Sequence, residues 1–322
     1  MPSLLKHDWA GLALVCAVAT CIISLKSPAF LSVLNGQVLL EAISINILIA
    51  LSQMVIIAIG QMNLSVGAIG GLAAISFAGM MEVWGVPAPL AVALAIMIGI
   101  LAGALNGFFI IWTGVSAFVV TLATLAIFKG LNLAITEAQP FYEIPAAVGA
   151  FGNTTFFGPL PWVFIPALTI IILVSFMLNK VPLGRKLLAV GANEHAAKLS
   201  GINVSGTVIV AHCISGFLAA AAGVALVARL QLGQPTIGDD WLLMSFAAPV
   251  IGGAVLAGGH VSTIATVFGV VIVALITQSL VLFKVDPYLV QVVLGALILA
   301  AVGFNRWKDI QTSKQDLVVK NG

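Results

Sequence analysis

Apolar residues run through this chain in ten stretches of roughly membrane length, with short polar interruptions between them. They lie at about 9–25, 38–60, 64–81, 88–112, 117–136, 161–179, 207–229, 241–257, 262–283 and 288–304. A bilayer core of about 30 Å takes roughly 20 helical residues at about 1.5 Å each. The stretches are apolar on every face, whereas a membrane barrel would alternate at every second residue. The pattern therefore predicts an all-α polytopic membrane protein with about ten transmembrane helices. Turn chemistry marks the joints: Ser27-Pro28, Pro87 with Pro89, Pro140, Gly158-Pro159, Gly233 to Pro235 and Asp286-Pro287. The first stretch reads as a retained span, because Ser24-Leu25-Lys26-Ser27-Pro28 lacks the small-x-small pattern of a cleaved signal. A single domain over 1–322 is expected, with halves at about 9–160 and 161–304, an inner loop at 180–206 and a tail at 305–322.

Composition agrees. Of 322 residues, 61% are hydrophobic and 7% charged, against roughly 25% charged in a soluble domain. So few charges could not cover a water-facing surface, and the solvent for most of the chain must be lipid. The net charge of +2 matters less than its placement. With the N-terminus inside, the inner segments hold Lys6, Lys180, Arg185, Lys186, Lys198, Arg306, Lys308, Lys314 and Lys320. The outer segments hold Lys26 and Lys284, together with Glu82, Glu137, Glu143, Asp239, Asp240 and Asp286. This bias predicts that both termini are cytoplasmic. Cys16, Cys21 and Cys213 fall within apolar stretches and read as small buried hydrophobes, and no His, Cys, Asp or Glu set has metal-ligand spacing. No basic cluster interleaves with aromatics, which argues against nucleic acid as a partner.

The sizeable polar segment between spans on the inner side is Lys180 to Gly206. Within it, Asn193 is a preferred N-cap, Glu194 suits the positive end of a helix, Lys198 the negative end, and Gly201 can adopt the left-handed stop. A capped helix of about two turns is predicted from Asn193 to Ser200. Alone in water it would be too short to persist. Its residues leave two roles open, a solvated linker or a docking element.

Several stretches, in order, resemble the ribose-type ABC sugar permeases, the inner-membrane components of binding-protein-dependent importers. GRKLLAVGANEHAAKLSGINV (Gly184 to Val204) looks like that family's coupling segment. GQMNLSVGAIGGLAA (Gly60 to Ala74) resembles its Gly-Gly-Ile-Asp-Leu-Ser-Val-Gly signature, and FVVTLATLAIFKGL (Phe118 to Leu131) its Thr-Leu-Gly-Thr…Arg-Gly-Leu stretch. Gly233 to Val273 is similar to its Gln-Pro…Ala-Ala…Gly-Gly…Leu-Ala-Gly-Gly pattern. The chain departs from the family at Gln61-Met62-Asn63, at Ala123 and at Lys129, departures that bear on cargo more than on architecture. The resemblance implies a type II importer-like bundle in the bacterial inner membrane, paired with a second copy or a paralogue. It implies a periplasmic binding protein that delivers a monosaccharide or related solute, and a cytoplasmic ATPase that carries ATP and Mg. It further implies coupling to that ATPase through Gly191, Asn193, Glu194, Ala196, Ala197, Lys198 and Gly201. The chain itself has no Gly-x-x-x-x-Gly-Lys-Ser/Thr loop, so no bound cofactor and no catalytic residue are expected in it.

Polar residues inside the spans are Asn46, Gln53, Asn63, Ser65, Asn106, Thr121, Thr124 and Gln278. Such groups face the bundle or a wet cavity. They either line a path for hydroxyl-rich cargo or tie helix to helix. Gly99, Gly103 and Gly107, spaced by four, suggest close helix packing on the fourth span. Lys129 and Arg229 read as snorkelling to the outer interface or as contacts for a binding protein, which Asp239 and Asp240 could also meet. The stretch from Gly60 to Ser65 faintly repeats in Gly258 to Ser262, hinting at two related halves. The rival reading is an ion-coupled secondary transporter. It is weakened because Glu41, near the outer end of its span, is the sole plausible intramembrane carboxylate.

Overall fold

Each predicted apolar stretch contains a helix, and the differences lie in where the helices stop. The computed structural model describes residues 8–286, 289–300 and 303. Lys6, Arg306, Lys308, Lys314, Lys320, the tail 305–322 and the end of the tenth stretch lie outside the described residues. In chain order the helices are α1 (Asp8–Lys26), α2 (Val33–Ala58), α3 (Val66–Glu82), α4 (Ala88–Thr113) and α5 (Ala117–Thr136). The loop after α5 then holds α6 (Ala146–Asn153) and a small hairpin, β1 (Thr155–Phe157) paired with β2 (Leu160–Pro161). There follow α7 (Phe164–Lys180), α8 (Pro182–Ala192), α9 (Glu194–Leu199), α10 (Val204–Leu230), α11 (Trp241–Ile251), α12 (Thr263–Leu282) and α13 (Leu289–Ala300).

Among the described residues, six helices are long and apolar enough to cross a membrane: α1, α2, α4, α5, α10 and α12. The pair α7–α8 passes the same test together, with a bend of 70° between its members. α3, α11 and α13 are apolar but shorter. The eighth stretch, expected to run over 241–257, is helical only to Ile251. Pro249 removes a backbone donor within its last turn, and Gly253, Gly258 and Gly259 turn the chain through left-handed conformations (φ 80, 97 and 80°). α2 begins at Val33 rather than 38 because Ser32 Oγ caps it, accepting from Asn35 N at 3.2 Å.

α2 is the axis of the bundle. From Ile43 to Ala58 almost every side chain is buried, against α10, α11, α12 and α7. α10 is its main partner and is clamped in turn by α4 and α3. Lipid gives no hydrophobic drive for helices to associate, so close approach of small residues must do it. Gly99, Gly103 and Gly107 supply that approach on α4. A Cβ on Gly103 would lie 2.1 Å from the His212 carbonyl oxygen, and one on Gly216 would lie 2.0 Å from that of Gly99. Outward faces carry large apolar side chains such as Leu14 and Ile22 on α1, Phe118 and Leu122 on α5, and Ile172 and Phe176 on α7. α1 packs on α12, with Cys16 and Ile23 against Leu275 and the Trp9 ring stacked on Phe268. The three cysteines are free; Cys16 is buried as expected, but Cys21 is exposed on the lipid side of α1 and Cys213 is half-buried.

Gly103→Leu should therefore cost about 1–3 kcal/mol or more through overpacking, read as a lower melting midpoint of the detergent-purified subunit. Gly130→Leu, where a new Cβ meets nothing within 4 Å, should melt like the parent. Equal melting of both variants would contradict the packing described.

Candidate functional site

The break between α2 and α3 is built from neutral polar groups. The Gln53 amide, turned to satisfy both, donates to Asn63 O at 3.0 Å and accepts from Asn63 N at 3.2 Å. Asn63 Oδ1 accepts from Ser65 N (3.0 Å) and Ser65 Oγ (2.8 Å), while its Nδ2 donates to Ser215 Oγ on α10 (3.2 Å). Asn106 of α4 donates to Ser65 Oγ at 2.7 Å, and Ser52 donates to Ser215 O at 2.8 Å. Thr121 of α5 accepts from Leu64 N at 3.1 Å. Nearby, the fully buried His212 ring pairs its Nε2 with Gln61 Oε1 at 3.1 Å. Gln53, Asn63, Ser65, Asn106 and Thr121 are all completely buried in the single chain. They bond to one another and to the interrupted backbone, which in a membrane has no water to turn to.

The other candidates lie apart. Thr124 is buried and bonds its own helix at Thr121 O (3.3 Å). Asn46 is half-buried and takes no part in the cluster. Gln278 donates to Asn35 Oδ1, tying α12 to the start of α2. Gln61, noted in the sequence only as a departure from the family signature, and Ser52, His212 and Ser215, not singled out there, complete the cluster. His212 and Ser215, three residues apart on an otherwise apolar span, were the available signal.

Away from this break, two cations have partners within the chain. Arg229 Nε meets Glu41 Oε2 at 3.1 Å, and Gln37 donates to the other carboxylate oxygen at 2.9 Å. Arg229 is thus an ion-pair partner rather than a snorkelling residue, and Glu41, with 5% of its side chain exposed, is not a free carboxylate. Lys129 Nζ pairs with Asp239 Oδ2 at 3.0 Å, both about half exposed, so Asp239 is engaged at home while Asp240 is open. Among the described residues no group of three His, Cys, Asp or Glu side chains could hold a metal.

The segment Lys180 to Gly206, read from its sequence as a polar loop, contains a whole helix before Asn193. Val181 is extended and Pro182 opens α8, which turns 70° away from α7. α8 is amphipathic: Gly184, Leu187 and Val190 face the bundle, while Arg185 and Lys186 are exposed. Asn193 Oδ1 then accepts from Ala196 N at 2.9 Å and caps α9. Ile202 N returns to Ala197 O at 3.1 Å across Gly201 (φ 80°), closing the helix as its sequence predicted. Of α9 only Ala197 is buried; Glu194, His195, Ala196, Lys198 and Leu199 are exposed, Leu199 at 78%. Gly191, at the end of α8, lies against the backbone of Ala58 and Gly259. Nothing here resembles a nucleophile with a base. The features that stand out are a buried neutral break and a helix presented outward on a firm stem.

Residues 37–302 match the family described as branched-chain amino acid transport system / permease component. The ribose import permease protein of Bacillus subtilis (strain 168) is 37% identical over 296 residues, 90% of this chain and 90% of that protein. The D-allose transport system permease protein of Escherichia coli (strain K12) is 32% identical over 302 residues, covering 93% and 92%. The L-arabinose transport system permease protein of the same strain is 32% identical over 311 residues, covering 94% and 91%. Among solved structures, an ABC transporter in an inward-facing conformation shares the fold, with a TM-score of 0.56, 17% identity and coverage of 91% and 97%. With its apolar helices, this likeness over nearly the whole length makes the chain a member of the ABC importer permease family, a multi-pass inner-membrane transport subunit and not an enzyme.

Proposed function

We propose that the chain conducts a monosaccharide or closely related polar solute inward, from a periplasmic binding protein to the cytoplasm, driven by a separate ATPase seated on α9. The observation that carries this reading is the exposed, doubly capped helix of six residues, too short to persist without something to hold it. Its stem α8 is buried along one face, so force applied to α9 would act on the bundle instead of bending a loose loop. The family description names amino acid transport, but the relatives quoted are permeases for ribose, allose and arabinose, which favours a sugar. Ion-coupled secondary transport finds no support among these import permeases, and Glu41 is held by Arg229.

In this reading all ten apolar helices cross or enter the membrane, both termini are cytoplasmic, and two permeases, identical or paralogous, pair across the pathway. ATP and Mg belong to the ATPase subunits. The neutral cluster around Asn63 keeps the α2–α3 break in shape behind the pathway, while Asn46 keeps a partly open amide. Docking of the ATPase biases an equilibrium between inward-open and outward-open arrangements.

Two measurements test this. Glu194→Arg or Ala197→Trp should abolish co-purification of the ATPase and ATP-driven sugar uptake in proteoliposomes while membrane insertion survives; undiminished uptake would refute the seat on α9. Asn63→Ala should leave the Ser65 N–H and its neighbours without partners, at about 1–3 kcal/mol for each orphaned group, and so lower the melting midpoint. An unchanged melt with reduced uptake would instead place Asn63 in contact with cargo.

A further inference from the structure

Three segments far apart in sequence meet backbone to backbone just above α9. The carbonyl of Ala58, the last residue of α2, accepts from Gly259 N at 3.1 Å. Gly60 and Gly258 both turn through left-handed conformations, at φ 73 and 97°. A Cβ on Gly258 would lie 2.6 Å from the Gly60 Cα and 2.7 Å from Gly191 O. One on Gly191 would lie 2.0 Å from Ala58 O and 2.6 Å from Gly259 N. One on Gly60 would lie 2.7 Å from Ala257 O. No side chain intervenes at any of these contacts. The break after α2, the break after α11 and the end of α8 therefore share one point.

The position of that point matters. Gly191 is two residues before Asn193, the cap of α9, and three extended residues reach at most about 10 Å. Leu187 and Val190 bury the same stem, so Gly191 is held from both sides. Side chains can repack to absorb a displacement, but main chain in direct contact cannot. Movement of α9 would reach the ends of α2 and α11 together, through contacts with no slack.

We infer that Gly191 is a positioning residue for transport: it passes displacement of α9 to the Gly60 and Gly258–Gly259 breaks at once, so that both halves of the subunit respond as one. This rests on the reading of α9 as the ATPase seat. It is nonetheless separable from that reading, because it concerns what happens after docking.

The experiment compares ATPase co-purification, ATP hydrolysis and sugar uptake for the subunit in complex with its ATPase and binding protein. Gly191→Ala places a methyl where the main chain of Ala58 already is. Ala192→Gly instead removes the methyl that lies beside Gly259 and frees the adjoining end of α8 at the junction without adding bulk. Both variants should keep the ATPase bound and hydrolysing, while uptake per ATP falls, by about tenfold for Gly191→Ala and less for Ala192→Gly. Glu194→Arg, by contrast, should lose the ATPase itself. Wild-type uptake per ATP in Gly191→Ala would overturn the inference, as would loss of ATPase association in either junction variant. Should Gly191→Ala fail to fold or insert into the membrane at all, Ala192→Gly decides: unchanged uptake per ATP overturns the inference, and a fall with the ATPase still bound supports it. Absence of ATP-driven uptake by the parent complex would sink the docking reading beneath it.

Discussion

An interrupted helix in a membrane leaves main-chain donors and acceptors that lipid cannot satisfy. The rest of this structure is arranged around that constraint. The break after α2 sits within the bundle, and the polar groups near it are neutral, with most of their hydrogen-bonding atoms meeting the break or one another. The break after α11 is relieved differently, by handing the Gly259 N–H to the carbonyl that ends α2. Each interruption thus satisfies part of the other, which is why the glycines at 60, 191, 258 and 259 occupy one place. Charged groups would have been far costlier there, and none is present at the cluster.

Packing around this centre follows from lipid as solvent. With no water to expel between helices, contact area between small residues holds α4 and α3 on α10. Large apolar side chains cover the periphery as well as the interior around α2, unlike the surface of a soluble protein. The same logic places α2, the most deeply buried helix, where both breaks and the α8 stem can reach it.

Local features were legible in the sequence and nonlocal ones were not. Helix-forming stretches announced themselves through length and apolarity, and the α9 caps through Asn193, Glu194, Lys198 and Gly201, because each signal acts within a few residues. The premature end of α11 was written in Pro249 and the glycines after it, but the apolar run continues past Ile251 and outweighed them. α8 was hidden because Arg185 and Lys186 made its segment look like a polar loop, though Leu187 and Val190 already marked an apolar face. The long-range partners of Asn63 and Arg229 could not be read. Ser215 is 152 residues from the first, and Glu41 is 188 from the second. Only the assembled fold brings them together.

That last separation has a consequence for biosynthesis. Glu41 enters the bilayer with α2, yet its guanidinium partner is still 188 codons from synthesis. At about 5–20 residues per second, roughly 10–40 seconds pass before Arg229 emerges. During that interval α2 carries a carboxylate with no cation to answer it, so its seating in the lipid is provisional. The ribosome's pace, and whatever shelters nascent spans beside the translocation channel, become part of how this bundle is made.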